Sequence, residues 1–569
     1  MRKMTETNRE QGPHTKADHD LVLGLDFGSD AARCALIDTT NGEERAISSM
    51  QYPRWQKGLY CDPAQSSFRQ HPLDYLEAME MTVADVLQQV PAARDHVKAI
   101  GIAMTGSTPV AVDQAGIPLA LKPAFAEYPN AMFIMWKDHS GHKENELINR
   151  FSRSRESDYT RSRLCGNYSV EHFWTKALHV FLDPKIRAEA HSFVEASDWL
   201  PGVLTGSSQP ETLKRGMGIA ASRALWNRAW GGYPPDTFFA QLDPVLAGLI
   251  GTFDPQAYTC DQPAGNLSEK WAKRFGLRQD VVVSVGNLDC HAGAIGAGVH
   301  DRAMVEIIGT STVAITVAPF NQEGATVPGV PQQALSMILP GEMGYEGGQS
   351  AFGDLYNWFK QVLTWPAHHI LAETTLVDAT TRAQLVAEME SKLMPELTRQ
   401  AEGLSAASQG LVATDWINGR RSPNADFGLT GTIAGLTLSS TAPGIYKSLV
   451  EATAFGAKCF IDQFQQGGGH IEEVIAVGGI SRKSPFVMQV LSDVIGIPIK
   501  VLATQEACSL GVAMCAAVAA GLYPSMQDAQ HAMKGEISTV YAPKKENAER
   551  YCADYARYLE LEKVKAIIS

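Results

Sequence analysis

Leu21-Val-Leu-Gly-Leu-Asp-Phe-Gly-Ser-Asp-Ala-Ala-Arg-Cys-Ala-Leu-Ile-Asp38 decides the reading of the fold, because the same design returns almost 300 residues later. An apolar, β-prone run stops at a short Gly/Ser/Asp turn and resumes at once, which reads as a hairpin. Ala303-Met-Val-Glu-Ile-Ile-Gly-Thr-Ser-Thr-Val-Ala-Ile-Thr-Val317 repeats it with Gly309-Thr-Ser-Thr312 at the turn. Such turns expose several backbone N–H groups to an anion. The duplication predicts two related domains. Between and after the hairpins, β-like runs (Ala99–Ile102, Val281–Val285, Val474–Val477) alternate with helical stretches (Pro72–Val90, Ala442–Gln465, Ser484–Val494). That alternation predicts α/β domains with mixed sheets.

The boundary between the two is expected near Gly298–Arg302. The Pro- and Gly-rich stretch 323–340 reads as loop, and Thr374–Arg399 as a largely helical insertion. A chain of 569 residues exceeds one ordinary core, so a cleft between domains is expected. With 45% hydrophobic and 20% charged residues the composition is that of a globular protein. The net charge of −13 argues against nucleic-acid binding, whose footprint is basic. Nine cysteines, at 34, 61, 165, 260, 290, 459, 508, 515 and 552, form no C-x-x-C pair, which suits a reducing cytoplasm. The polar residues 1–20 lack the apolar region of a secretory signal and read as a flexible tail. The apolar run Val512–Ala520 falls short of the roughly 20 residues that span a bilayer and reads as a buried helix, so no membrane association is expected. The acceptor-like strings at Asn167 and Asn266 are expected to be unmodified.

Val283-Ser-Val-Gly-Asn-Leu-Asp289-Cys-His-Ala-Gly-Ala-Ile-Gly-Ala-Gly298 brings one carboxylate to the end of an apolar strand, before a glycine-rich turn whose Gly293, Gly296 and Gly298 let the following segment pack closely or a ligand approach the backbone. Asp289 suits a catalytic base there, or a turn or helix cap. No G-x-x-x-x-G-K-[ST] loop occurs, so a bound nucleotide needs another cradle. Gly309, Thr310, Ser311 and Thr312 offer backbone donors and hydroxyls for phosphates, and Asp26 with Gly28 suits a carboxylate near Mg²⁺. Plain hairpin turns are the alternative. In Val474-Ile-Ala-Val-Gly-Gly-Ile-Ser-Arg-Lys-Ser-Pro485, Gly478 and Gly479 allow close approach of a nucleoside, although a simple strand-to-helix loop has the same pattern. The small residues of Ala507–Gly521 predict a closely packed helix.

These segments, in this order and spacing, resemble the FGGY carbohydrate kinases over nearly the whole chain after residue 20. The strings Tyr52-Pro-Arg-Trp-Gln-Lys-Gly58, Gln70-His-Pro-Leu-Asp-Tyr75, Trp136-Lys-Asp-His139, Gly344-Tyr-Glu-Gly-Gly-Gln-Ser-Ala-Phe-Gly-Asp354 and Asp415-Trp-Ile-Asn-Gly-Arg-Arg421 are most similar to the bacterial L-ribulokinase branch. The resemblance implies two actin/hexokinase-like (ribonuclease H-like) ATPase domains around a cleft, with a sugar-binding domain at 21–298 and a nucleotide-binding domain at 299–569. It implies transfer of the ATP γ-phosphoryl group to the 5-hydroxyl of L-ribulose in L-arabinose catabolism, with Mg²⁺ as cofactor, and suggests a homodimer. Asp289 would be the base, Asp26 would position the metal, Gly28 and Gly309–Thr312 would hold phosphates, and Gly478 and Gly479 would lie against the nucleoside. Gly106, Trp136, Lys137, Arg223, Asp289 and Glu346 would face the sugar. Two positions near the expected sugar pocket depart from that branch: Ala103, followed by Met104, replaces an Asp, and Arg223 replaces a Lys. Another ketopentose or pentitol (D-ribulose, L-xylulose, ribitol) therefore remains an alternative, as does a catalytically weak sugar- or nucleotide-binding regulator. Cys290-His291 reads as a packed pair rather than a metal site, and His368-His369 as surface.

Overall fold

A computed structural model of the chain describes residues 19–154, 168–320, 326–404 and 410–564. The tail reading of 1–20 therefore lies outside the described residues except at His19 and Asp20, and Asn167 lies outside them too.

Two seven-stranded sheets carry the architecture, and six strands of each share one spatial order and one pattern of parallel and antiparallel pairing. In the first, Leu21–Phe27 pairs antiparallel with Ala31–Asp38, which pairs with Glu44–Gln51. On its other side Leu21–Phe27 runs parallel to Val97–Met104; next come Val282–Ser284, parallel, and Pro263–Asn266, antiparallel. In the second, Ala303–Ile308 pairs antiparallel with Thr312–Pro319 and parallel with Glu473–Val477, followed by Ile499–Leu502, parallel, and Ile537–Tyr541, antiparallel. Both hairpins expected from the sequence thus form and head equivalent sheets. The second sheet extends through Glu342–Gly347 to Gln332–Leu335, so the stretch read as loop contains an edge strand. The insertion forms a helix over Ala379–Glu402.

Strand alternation gives each sheet two apolar faces. Outer faces bury Leu23, Leu25 and Phe27 in one core, and Met304, Val474 and Ala476 in another. Inner faces, carrying Val22, Ala99, Val305 and Ile475, share a third core with Ala294, Ile295, Ala513 and Ala516. These last residues belong to two helices, Asp289–Gly296 and Ala507–Ala519, which lie between the sheets. Their small residues are a steric requirement. A Cβ on Gly101 would fall 2.1 Å from the Val512 carbonyl oxygen, and one on Gly511 would fall 1.8 Å from that of Ala292. After Asp289 the expected turn is replaced by a helix that contains Gly293 and Gly296, and the expected close packing is present: a Cβ on Gly296 would fall 2.1 Å from the Ala507 carbonyl oxygen. No helix among the described residues is long and apolar enough to cross a membrane.

Candidate active site

The duplicated design places the ends of both sheets around one cavity of about 270 Å³. Asp289 lies on its wall as the first residue of a helix, immediately after the short strand Asn287–Leu288 that pairs with Val97–Met104. Its Oδ1 accepts the Cys290 N–H at 2.7 Å. Burial is the main cause that raises its pKa to about 6; the Cys290 N–H opposes the rise, Glu346 adds to it, and Arg223 pulls it back. A carboxylate of that basicity suits proton transfer near neutral pH.

Asp26 is the penultimate residue of the strand Leu21–Phe27 and is 5% exposed. It does not line the cavity, but the charge of Asp289 reaches it. Burial first, then Asp289, raises its pKa to about 7 against the opposing pull of Arg33. Arg33 Nη1 donates to Oδ2 at 3.2 Å, while the buried Oδ1 has no hydrogen-bond partner. A free carboxylate oxygen beside a second carboxylate fits a hard divalent cation, which takes oxygen ligands.

Opposite Asp289, Arg223 and Glu346 meet. Arg223 ends the helix Met217–Arg223, and its Nη2 donates to Glu346 Oε1 at 2.5 Å; its buried Nη1 has no partner. Glu346 comes from the strand Glu342–Gly347 of the second sheet, and its Oε2 lies 2.9 Å from His291 Nε2. Burial alone would raise the Glu346 pKa, yet the Arg223 charge and the His291 contact outweigh it and hold the carboxyl well below its usual range. A buried guanidinium with one unsatisfied N–H face is a ready donor to a hydroxyl-rich ligand.

The turn at 309–311 borders both this cavity and a second one of about 550 Å³. Ser311 lines the first; Gly309 lines the second, together with Gly479, Ile480, Tyr356, Tyr446 and Lys483. The turn is anchored from behind, where the Thr310 carbonyl accepts the Phe352 and Asp354 N–H groups at 2.7 and 3.0 Å. Such a pair of chambers suits a flat ligand on one side and a polar ligand on the other, joined across a loop of backbone donors.

Family models match both halves of the chain: the N-terminal domain of the FGGY family of carbohydrate kinases over residues 21–296, and its C-terminal domain over 304–520. The chain belongs to the FGGY family of carbohydrate kinases. It is 42% identical over 544 residues to a ribulokinase from Vibrio parahaemolyticus, covering 95% of each chain, and 34% identical over 554 residues to one from Shouchella clausii, covering 95% of this chain and 94% of that one. Among solved structures it is similar to a xylulose kinase from Rhodospirillum rubrum (TM-score 0.74, 18% identity, 96% and 99% covered). A glycerol kinase from Plasmodium falciparum with ADP is also similar (TM-score 0.71, 15% identity, 95% and 98% covered). At these identities the structural likenesses establish the two-domain FGGY fold.

Within this FGGY fold the residues singled out from sequence divide into three groups. Gly106, Trp136, Arg223, Asp289, Ser311 and Glu346 all line the first cavity, and Gly309 and Gly479 the second. Asp26, Gly28, Thr310 and Gly478 stand beside these cavities rather than on their walls. Gly478 adopts φ +114, where a side chain would be strained. Two expectations need correction. Lys137 does not line the cavity: its ammonium sits over the rings of Trp55 and Phe68, 5.1 and 4.9 Å from their centroids. Thr312 is 1% exposed, and its hydroxyl is held by Gln349, accepting the Gln349 N–H at 3.0 Å, so it braces the turn instead of offering that hydroxyl to a phosphate.

The departure at Ala103 likewise lies off the cavity wall. Ala103 pairs in register with Asp26 and packs against Ala292 and Val512 beneath the two inner helices, and Met104 is in the outer core. Several cavity residues escaped the sequence reading. Glu171, His172 and Gln332 line the wall from two segments with no motif signal, and Arg421 joins them from the end of the Asp415–Arg421 string, where the sequence assigned it no role. Burial, reinforced by Arg223, lowers the His172 pKa to about 3, so this side chain is a neutral hydrogen-bonding group. Cys290, His291 and Glu346 place ligand-type atoms within 4.8 Å of one another, but Glu346 is already held by both Arg223 and His291.

Proposed function

We propose that the chain transfers the γ-phosphoryl group of ATP to the 5-hydroxyl of L-ribulose, giving L-ribulose 5-phosphate in cytoplasmic L-arabinose catabolism. The observation that carries this reading is the position of Asp289: it lines a cavity that shares the 309–311 turn with a second chamber, Ser311 bordering the first and Gly309 the second. The ribulokinase relatives supply the sugar. The ketose sits between Asp289, Trp136 and the Arg223–Glu346 pair, with the unsatisfied Arg223 Nη1 donating to a sugar oxygen. ATP lies in the second chamber with its phosphates over Gly309–Ser311. Asp289, ionised above about pH 6, accepts the proton of the attacking hydroxyl as the oxygen forms its bond to phosphorus. Asp26 would hold Mg²⁺, which when bound neutralises phosphate charge. Glu171 from the first half faces the charge of Arg421 from the second, and so helps to close the cavity against water.

A coupled assay of ADP release with L-ribulose, D-ribulose, L-xylulose, D-xylulose and ribitol tests the assignment; turnover of none of them would overturn it. Arg223 favours a second reading, in which another ketopentose or pentitol is preferred, because a planar guanidinium presents its donors differently from an ammonium. If Arg223 sets the preference, Arg223→Lys changes the ratio of kcat/KM between L-ribulose and its competitors by about tenfold, roughly one hydrogen bond's worth. An unchanged ratio removes Arg223 as the determinant.

A further inference from the structure

Lys176 is among the most deeply buried charged residues of the chain, 2% exposed on the helix Phe173–Phe181, and it does not line the cavity. An ammonium has three hydrogens and no acceptor capacity. All three find carbonyl oxygens: those of Ser107 at 2.5 Å, Met135 at 2.8 Å and Trp136 at 3.3 Å. The acceptors come from two separate segments, and each segment supplies a wall of the sugar cavity. Gly106 lies immediately before Ser107, and Trp136 is itself a wall.

The first segment is also gripped from its other side, where Glu195 accepts the Ser107 hydroxyl and the Thr108 N–H, the latter at 2.7 Å. It is stacked directly against the residue that precedes Asp289, since a Cβ on Gly106 would meet Leu288 Cδ2 at 2.2 Å. The second segment is tied to the first hairpin, with Trp136 Nε1 donating to Ser29 Oγ at 3.0 Å. One buried ammonium thus joins the strip under the base to the tryptophan wall.

We propose that Lys176 is a positioning residue of the sugar site, clamping the Gly106–Ser107 strip and the Met135–Trp136 segment at the spacing the sugar requires without touching the sugar. This rests on the kinase reading given above. Burying an ammonium is costly unless it is fully hydrogen-bonded, and here the bonds span two walls that no backbone ladder joins at this point. The walls of the second chamber come from other elements, so the loss of the clamp falls first on the sugar and only secondarily on the base above the strip.

The test compares Lys176→Met and Lys176→Arg with the wild type, using whichever of the five ketoses and polyols the wild type turns over fastest. Lys176→Met removes the ammonium from all three carbonyl oxygens, of which only that of Met135 keeps another donor in the Asp138 N–H, and the expected result is a sugar KM raised about tenfold or more, consistent with small misplacements of a binding wall. The ATP KM is expected to stay within about twofold, and kcat to fall less than the sugar KM rises. Lys176→Arg, which keeps the charge but needs more room, is expected to recover part of the sugar KM. A sugar KM within about twofold of wild type in a folded Lys176→Met protein overturns the proposal, as does an equal rise in the KM of sugar and of ATP. If Lys176→Met does not fold, Lys176→Arg decides by the same two constants: a sugar-only rise supports the clamp, and unchanged constants overturn it. A wild-type protein that turns over none of the substrates overturns the kinase reading and this one with it, whereas an active wild type with unaffected variants overturns this one alone.

Discussion

At the scale of single residues, the site is a set of charges whose burial is only partly compensated. Asp289 is raised to about 6 and Asp26 to about 7, while Glu346, held by Arg223 and His291, is lowered. Two nearby carboxylates that ionise reluctantly together, and a third that ionises readily, assign different tasks to groups of one chemistry. Asp289→Asn is expected to lower kcat by about 10²–10⁴-fold, the usual contribution of a positioned base. ATP affinity, measured by calorimetry, should stay close to that of the wild type; a variant with near-normal kcat would remove Asp289 as the base. In the wild type, kcat/KM should rise with pH through about 6 as Asp289 ionises, and then level. Stability runs the other way for this group. Its pKa is higher folded than unfolded, so its contribution is full below about 4 and is lost as pH rises through about 6.

At the scale of elements, two buried positions make opposite use of the sheets. Ala103 leaves room for the inner helices, packed against Ala292 and Val512 beside Asp26. A carboxylate there would meet Asp26 and apolar packing, not the sugar. Ala103→Asp is therefore expected to lower the melting temperature more at pH 8 than at pH 6 and to leave the ranking of sugars unchanged; a reordered ranking would return this position to the sugar pocket. Glu306 is a polar residue inside the second sheet. It is 1% exposed between the core residues Met304 and Ile308, with Oε2 unpartnered, and burial raises its pKa to about 8. Because the folded state holds this proton more tightly than the unfolded chain, the group's contribution is full below about 4.5 and is lost as pH rises through about 8. Glu306→Gln should match the wild type near pH 5 and exceed it by about 1–3 kcal/mol at pH 9, the scale of an uncompensated buried polar group. Urea unfolding at the two pH values checks this, and an equal difference at both would show that Glu306 does not titrate in this way.

At the scale of the molecule, layer order and chain order disagree. The helix Ala507–Ala519 follows every strand of the first sheet by more than 200 residues, yet it packs against that sheet at Gly101 and Ala103 and forms the layer between the two sheets. Residues 1–300 produced alone would therefore expose the inner face carrying Val22, Ala35 and Ala99. That fragment is expected to aggregate or to sediment as a loosely packed species, because an uncovered apolar sheet face of this kind is an association surface. A compact, monodisperse fragment with native-like thermal unfolding would show that the first half is self-sufficient.

Much of the fold was legible because it rests on local patterns: both hairpins, the parallel strands and the main helices follow from period-two and helical hydrophobicity with their turns. For the glycines after Asp289 the turn reading failed and the close-packing reading held, because both uses place the same residue in the sequence and only the opposing helix distinguishes them. Lys137 was misread for a related reason, since a lysine beside a wall residue can point either way along an extended segment. The motif residues Asp289, Ser311 and Glu346 line the first cavity and Gly309 the second, whereas the places of Glu171, His172 and Lys176, and what Arg421 faces, arise only through contacts between segments distant in sequence. By itself, then, the sequence determined the duplicated α/β design, the family and the carboxylate on which the proposed chemistry turns. The tertiary structure alone decided which cation pairs with Glu346, which ammonium joins the cavity walls and what Ala103 touches, because burial, charge pairing and side-chain direction arise only when distant segments share one space.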